Sequence, residues 1–142
     1  MDAQILLKEL KKRELIDTKA VDQLTRDTKV SAKPVEDLIY ERHLVDDREL
    51  ARVKSELLSI PYKKVDIEKL TPDILKLVSE DTVQNYKVVP LSKTKDMLVV
   101  GMLYPDNEKA QEVLRFLGKQ NKSDLGVFLI ARSDYDAVLR KY

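Results

Sequence analysis

Residues 86–105 constrain the fold most, because they have the pattern of two strands joined by a short polar turn. Lys87–Leu91 contains adjacent β-branched valines, and Met97–Tyr104 is a continuous apolar run, too short for an ordinary helix and interrupted by Gly101. Ser92–Asp96, between the two runs, has the composition of a turn. The pattern predicts a β-hairpin whose second strand is buried on both faces, so helices must cover it from both sides.

The segments that follow residue 60 can form those covering layers. Short apolar runs predict two more strands, at Lys63–Ile67 and Leu125–Ala131. Capping residues followed by apolar residues at helical spacing predict helices that begin near Thr71, Asp81, Asn107 and Ser133, the third of them ending near Gly118. The second half of the chain is therefore predicted to be a small α/β sandwich of about four strands with packed helices.

A weak repeat with an interval of 29 residues runs through the first sixty residues. Leu15-Ile16-Asp17 returns as Leu44-Val45-Asp46, with apolar residues at helical spacing before and after each tripeptide. Asp17 or Thr18 can cap the helix after the first tripeptide, and Asp46 or Asp47 the helix after the second. Since neither helical hairpin can bury its apolar face alone, we expect the two to pack into a four-helix unit. A chance alignment of two hairpins of similar size is the alternative that the sequence leaves open.

The predicted fold class is therefore α+β, with a helical-hairpin subdomain over residues 1–60 and an α/β subdomain over residues 61–142. The 142 residues are 43% apolar, which suffices for a core. With 26 basic and 25 acidic residues, the formal net charge of +1 argues against a nucleic-acid partner and against an anionic membrane surface. No apolar run is long enough for a membrane span and no secretory leader is evident, so we expect a cytoplasmic protein without direct membrane insertion.

No pattern of catalytic or metal-binding residues stands out. The chain has no cysteine, and His43, its one histidine, lies in the predicted break between two helices, where an exposed loop residue is expected. The carboxylate pairs Asp46-Asp47 and Glu80-Asp81 both stand where a helix begins, so capping explains them. The basic run Lys11-Lys12-Arg13 adjoins two glutamates and fits a solvated helix face. We expect no enzyme, no catalytic residue, no metal and no cofactor; an enzyme would need a pocket of converging polar groups that the sequence does not indicate.

The order of short motifs, none specific alone, carries a resemblance over about 130 residues. The motifs are Leu15-Ile16-Asp17 and Leu44-Val45-Asp46 before helices, the connector Leu58-Ser59-Ile60-Pro61-Tyr62, the strands Val88-Val89-Pro90-Leu91 and Leu98-Val99-Val100-Gly101-Met102, and the turn Pro105-Asp106-Asn107. In this order they resemble the N-terminal domain of the type II secretion and type IV pilus assembly ATPases, the GspE/PilB or MshEN-like type.

The resemblance implies a docking or regulatory domain that precedes an ATPase domain in the same full-length protein. It implies that the domain binds the cytoplasmic domain of a membrane-anchored platform protein, and so lies in the cytoplasm next to the inner membrane. For the surface that does so, we predict the first hairpin around Leu7, Lys11, Leu15 and Ile16, since a terminal helix can detach and repack.

The alternative function that the resemblance implies is cyclic di-GMP sensing through an Arg-Leu-Gly-x-x-Leu motif at the head of each helical hairpin. On this alignment Pro34, Val35 and Glu36 occupy the arginine, leucine and glycine positions of the second copy, and Leu7 occupies the glycine position of the first. Glu14 and His43 also stand where the family usually has glycine. Because arginine supplies the charged fork and glycine the close backbone approach, the motif is largely lost in this sequence, and cyclic di-GMP sensing stays the alternative function.

Overall fold

Four helices form the first part of the chain in the computed structural model, which describes residues 1–142. They are α1 (Ala3–Lys12), α2 (Thr18–Ser31), α3 (Val35–Glu41) and α4 (Asp47–Leu58). The side chains of Asp2, Asp17 and Asp46 accept hydrogen bonds from the first turns of α1, α2 and α4. Of the alternatives that the sequence left open, the caps are therefore Asp17 rather than Thr18 and Asp46 rather than Asp47.

The turns within the two hairpins have the same backbone geometry at the interval of the sequence repeat. Glu14 and His43 both lie in the left-handed region, with φ of 61° and 53°. In the first turn the amides of Glu14 and Leu15 donate to carbonyls of α1, and in the second those of His43 and Leu44 donate to the corresponding carbonyls of α3. Both are Schellman motifs, in which the residue after the cap ordinarily is glycine.

The helical part has a core of its own, to which all four helices contribute. Its buried members are Leu6, Leu7, Leu10, Ile16, Leu24, Val35, Leu38, Ile39, Val45, Leu50 and Val53. Helix α1 has a broad apolar face, as shown by Leu6, Leu7 and Leu10, each at most 1% exposed. A helix with so broad an apolar face must be covered on two sides, here by α2 and α4.

The remaining elements alternate around a small sheet. In chain order they are a short 3₁₀ turn (Ile67–Lys69), α5 (Pro72–Leu75), α6 (Glu80–Tyr86), β1 (Val88–Lys93), β2 (Met97–Met102), α7 (Glu108–Asn121), β3 (Asp124–Leu129) and α8 (Arg132–Leu139). Thr71 caps α5 with Pro72 at its first position, and Asn107 caps α7, both as the sequence predicts.

The sheet has the order β1-β2-β3, with the predicted hairpin antiparallel and β2-β3 parallel. Leu98, Val100 and Met102 of the central strand are 0% exposed and pack against the helices. Gly101 faces the other side, where an added Cβ would lie 2.7 Å from a methyl group of Ile130. The centre of the sheet is thus covered on both faces, and the α+β class predicted from the hairpin is confirmed.

The sequence predictions differ from the structure at three places. Lys63–Ile67 is not a strand: only Tyr62 pairs with β3, through Leu129, because the chain then turns away and the Val65 amide donates to the Asp134 carboxylate. The sheet therefore has three strands rather than about four. Helix α7 continues through Gly118 to Asn121.

The third difference is the start of α8. Ser133 lies inside that helix, whose cap residue Ala131 has no side chain able to accept a hydrogen bond. The Ser133 amide instead donates to the Asp47 carboxylate, 2.7 Å away.

Among the helices of the whole chain, none is both long and apolar enough to cross a bilayer.

Candidate functional site

The predicted partner-binding residues meet, in part, at the turn between α1 and α2. Lys11, Leu15 and Ile16 line one shallow groove of about 550 Å³, which Leu44 of the second hairpin turn also borders. Lys11 is exposed, and Leu44 is 37% exposed. The two repeated turns therefore lie side by side, and their leucines give the groove an apolar floor.

Leu7, the fourth predicted residue, is not at this surface. It is 0% exposed in the helical core, and Ile16, at the edge of the groove, is only 9% exposed. Leu15 is half-buried. A partner that binds to the folded hairpin can reach Lys11 and part of Leu15, whereas contact with Leu7 requires α1 to move. The predicted surface as a whole stays a prediction.

Arg13 fixes the position of this turn against α4. Its guanidinium pairs with Glu56 of α4 and with Glu9 one helical turn earlier. The hydrogen bond to Glu56, followed by that to Glu9, raises the pKa of Arg13 further above its ordinary value. Because the group is always charged, the pair acts as a permanent surface contact between the first and second hairpins.

A second candidate region is the seam between α3 and α4 on one side and the α/β part on the other. At its centre the ammonium group of Lys54, whose residue is 7% exposed, donates to the carbonyl of Leu103 at 2.7 Å. The same group lies 3.1 Å from the Glu36 carboxylate and 5.0 Å from the centre of the Tyr104 ring. A buried lysine needs such partners, since an unpaired charge is strongly disfavoured away from water.

Aromatic hydroxyls extend the seam on both sides of Lys54. The Tyr104 hydroxyl donates to Asp37 at 2.8 Å, and the Tyr40 hydroxyl donates to Asp136 at 3.0 Å. Burial first, and then the hydrogen bond to Asp37, raise the pKa of Tyr104 well above its ordinary value. Arg132 stacks over the Tyr40 ring at 5.0 Å and completes the network.

Asp47 links α4 to α8 at the end of the seam. Burial acts to raise the pKa of its carboxyl group, but the hydrogen bonds with Ser133 outweigh it and the net pKa is lowered. Arg48, the next residue, lies 3.7 Å from the buried Asp134 carboxylate, which also accepts the Val65 amide. Asp47, Arg48 and Asp134 thus each have a partner within the chain, although the Nε atoms of Arg48 and Arg132 are buried without a hydrogen-bond partner.

A cavity of about 580 Å³ opens between the two parts of the chain, near the head of α3. Leu6, Pro34, Val35 and Glu36 border it from the helical side. The α/β side contributes two further groups that carry charge, Asp106 and Lys87, and the Lys87 ammonium donates to the carbonyl of Gln84. The cavity is therefore bordered by the carboxylates of Glu36 and Asp106 and by two ammonium groups: that of Lys87, which already has a partner, and that of the Met1 N-terminus, which is paired with Asp106.

The polar side chains of the seam pair with one another or with backbone groups across the helices. No group of three or more His, Cys, Asp or Glu side chains lies close enough together to hold a metal ion. His43 is exposed, and its side chain has no hydrogen-bond partner.

The sequence analysis did not predict the seam between the two parts of the chain. Its one signal was Lys54, which stands between Val53 and Leu57 on the apolar side of α4, where a solvated lysine is not expected.

Comparisons with known proteins agree with this fold. The MshEN domain family matches residues 58–142, which include the whole α/β part. The structure of the N-terminal domain of XpsE has a TM-score of 0.72 at 19% identity and covers 100% of this chain and 96% of its own. A structure described as MshE with cdg has a TM-score of 0.70 at 16% identity, over 96% and 97% of the two chains. No curated protein sequence gives a significant match.

Proposed function

The chain belongs to the MshEN domain family, and on that premise we propose that it is the non-catalytic N-terminal domain of a type II secretion or type IV pilus assembly ATPase. In this proposal it binds the cytoplasmic domain of an inner-membrane platform protein, and so holds the ATPase domain of its parent polypeptide beside the membrane. The supporting observation is that the likeness to the XpsE N-terminal domain covers the helical hairpins as well as the residues matched by the family.

The groove at the α1–α2 turn is the proposed docking surface. It combines the cation of Lys11, which forms no ion pair, with the accessible part of Leu15 and the leucine of the second turn. A rim charge around an apolar floor is the usual arrangement of a protein interface of modest size. The hairpin can bind in its present conformation, or α1 can detach and offer Leu7 as well.

The test is binding of the platform protein's cytoplasmic domain to two variants, Lys11→Glu and Leu15→Asp. We expect Leu15→Asp to weaken binding about tenfold or more, since a charge placed on the apolar floor of an interface costs ~1.4 kcal/mol or more. Because Lys11 is a rim charge, Lys11→Glu should weaken binding through slower association, an effect that decreases as salt rises. Lys29→Glu is the matched control, because this exposed lysine makes the same charge change at the far end of α2.

Circular dichroism distinguishes loss of binding from loss of folding in these variants. Binding that is unchanged in both folded variants would refute the docking surface. Failure of the unaltered domain to bind platform cytoplasmic domains of either system would refute the proposed function itself.

Cyclic di-GMP binding is the second candidate function. The likeness to MshE with cdg favours it, and the cavity at the head of α3 is bordered by Pro34, Val35 and Glu36, the positions assigned to the family's binding motif. The charges oppose it. A ligand with two phosphate groups would face the carboxylates of Glu36 and Asp106, while both ammonium groups of the cavity are engaged: that of Lys87 donates to Gln84, and that of the Met1 N-terminus is paired with Asp106.

Leu7 and Glu36 would both have to give way to admit the nucleotide at the heads of the hairpins. Leu7 is fully buried, and Glu36 is paired with the buried Lys54. We therefore expect no heat on titration with cyclic di-GMP at micromolar concentration. Saturable heat that disappears in a Pro34→Asp variant would instead establish the second function.

A further inference from the structure

The apolar cores of the two parts of the chain do not merge. The helical core and the half-buried residues packed against it lie within residues 3–57, and the α/β core and its half-buried neighbours lie within residues 65–142. The one buried cluster that spans the seam is small and consists of Ala51, Leu129 and Ala131. Each part can therefore keep its own core when the two parts move relative to each other.

The apolar residues that approach each other elsewhere along the seam leave space between them. Val45 and Leu50 of the helical core border a cavity of about 40 Å³ together with Leu103 and Ile130 of the α/β part. Protein interiors are ordinarily packed without voids of this size, and the walls of a void lose their contacts with each other. This stretch of the seam therefore adds little attraction between the two parts.

Polar contacts make up most of what joins the two parts. They include the hydrogen bonds from Lys54 to the Leu103 carbonyl, from Tyr104 to Asp37, from Tyr40 to Asp136 and from the Ser133 amide to Asp47, and the ion pairs of Arg132 with Asp37, of Arg48 with Asp134 and of the N-terminal ammonium with Asp106. Water can replace every one of these partners when the surfaces part, so each adds only modestly to the stability of the closed seam.

The chain crosses the seam once, in the connector that follows α4. Ile60 is held to the end of α4 by hydrogen bonds with Ser55, whereas Pro61 and Lys63 are held to β3 by hydrogen bonds with Leu129. The peptide units before and after Pro61 thus belong to different parts of the molecule. Because the proline ring fixes φ, the ψ angle of Pro61 is the torsion angle about which the helical part can turn.

We propose that the seam is a separable interface, and that the helical part swings away from the α/β part as a rigid body about Pro61 in the native protein. Both cores stay folded in the open state, and the polar groups of the seam become hydrated. The α1–α2 surface then has two positions relative to the α/β part, and a few polar contacts set their balance. The proposal does not rest on the platform protein or on cyclic di-GMP.

The experiment measures how fast a thiol placed at the seam reacts with 5,5′-dithiobis(2-nitrobenzoic acid) in the native protein. The chain has no cysteine, so an introduced thiol is the only one present. Ala51→Cys places it in the cluster that spans the seam, and Ala110→Cys is the matched control in the α/β core; both alanines are at most 4% exposed. We expect the seam thiol to react at least about a hundredfold faster, because the control thiol is exposed only by unfolding of the α/β part.

A second control reports unfolding of the helical part. Val53→Cys lies on the same helix as Ala51, but in the helical core, where Val53 is 0% exposed. Its thiol should also react much more slowly than the seam thiol. Any loss of stability from shortening this valine speeds the control reaction and so works against the expected difference.

Two matched tyrosine substitutions distinguish opening of the seam from unfolding. Tyr104→Phe removes the hydroxyl that donates to Asp37 across the seam, and should speed the reaction of the Ala51→Cys thiol about tenfold. Tyr142→Phe removes a hydroxyl that donates to carbonyl groups within the α/β part. It should speed the reaction of the Ala110→Cys thiol and leave that of the seam thiol unchanged.

Hydrogen exchange in the unaltered protein is an independent measurement, which does not require the cysteine variants to fold. The Ser133 amide is bonded across the seam to Asp47, so it should exchange at least about a hundredfold faster than the most protected amides of either core. Tyr104→Phe should speed this exchange too, although it removes no hydrogen bond of α8. The proposal is overturned if the seam thiol reacts no faster than the core thiols, if Tyr142→Phe speeds its reaction as much as Tyr104→Phe does, or if the Ser133 amide exchanges as slowly as the cores.

Discussion

Glycine at the two hairpin turns should stabilise the domain. Glu14 and His43 have left-handed backbones with φ of 61° and 53°, where an L-residue is strained. Both side chains are exposed, and neither forms an ion pair or a hydrogen bond. Replacing them with glycine therefore removes the strain without removing a contact, and the Schellman hydrogen bonds of both turns remain.

The expected magnitude follows from two opposing terms. The left-handed conformation costs an L-residue about 1–2 kcal/mol, whereas glycine loses roughly 0.5–1 kcal/mol more backbone entropy on folding than other residues do. Each substitution should thus raise the free energy of unfolding by about 0.5–1 kcal/mol. The two side chains share no ion pair or hydrogen bond, so the gains from Glu14→Gly and His43→Gly should sum to about 1–2 kcal/mol, and a departure from the sum would report coupling between the adjacent turns. For a domain of this size the melting temperature of the double variant should rise by about 3–7 °C.

The assay is equilibrium unfolding in urea, monitored by circular dichroism. The slope of the free energy of unfolding against urea concentration should be the same for the variants and the unaltered protein. Glu14→Ala is the matched control, since it removes the carboxylate but keeps the strain, and its stability should stay near that of the unaltered protein. Lys8→Gly, at an exposed position inside α1, should lower the stability by about 1 kcal/mol. If Glu14→Gly is no more stable than Glu14→Ala, the strain argument is wrong.

Three other predictions concern the core, the seam and the tyrosines. Gly101→Ala should lower the free energy of unfolding by about 1–3 kcal/mol in urea, because the new Cβ would lie 2.7 Å from a methyl of Ile130. Lys54→Met should lower it by about 3 kcal/mol, because it leaves the Glu36 carboxylate and a buried carbonyl without their partner. Burial, then the nearby Glu80 charge, raise the pKa of Tyr142 from 10.0 to about 12, so its phenolate absorbance should titrate late. Since the folded state favours the neutral phenol, this contribution to stability is full below pH 10 and is lost as the pH rises towards 12.

Each of these has a control. Gly126→Ala should be nearly neutral, because its nearest neighbour is the sulfur of the flexible Met97 side chain at 3.3 Å. Adding Glu36→Gln to Lys54→Met should recover part of the lost stability, and strictly additive losses would contradict the pairing. If Tyr142 titrates at the same pH in the folded protein as in an unfolded sample, the burial of its phenol is contradicted.

Local sequence patterns predicted the elements whose determinants lie within a few residues. The hairpin at residues 86–105, the caps Asp17 and Thr71, and the aspartate before α4 all follow from short-range hydrogen bonding and side-chain periodicity. The predictions failed where the local backbone conformation depends on a residue far away in the sequence. Lys63–Ile67 has strand composition, but the Val65 amide is taken by Asp134, so no ladder forms.

The predicted docking surface shows the same limit. The spacing of Leu7 and Lys11 on α1 does not reveal that one is fully buried and the other exposed, since the difference depends on how α2 and α4 pack around the helix. Phe116 is a second example, since only the packed structure shows that it is 63% exposed while Leu114 and Leu117 on the same helix are buried.

The adjacent aspartates Asp46 and Asp47 connect α4 and α8, two helices whose first residues, Asp47 and Arg132, are 85 positions apart in the sequence. Asp46 caps its own helix, and Asp47 binds the first turn of the other. A single inserted or deleted residue in the preceding turn would move both carboxylates together. The angle at which the helical half sits on the sheet is thereby tied to the length of one loop, and natural variants should vary that loop in sequence but not in length.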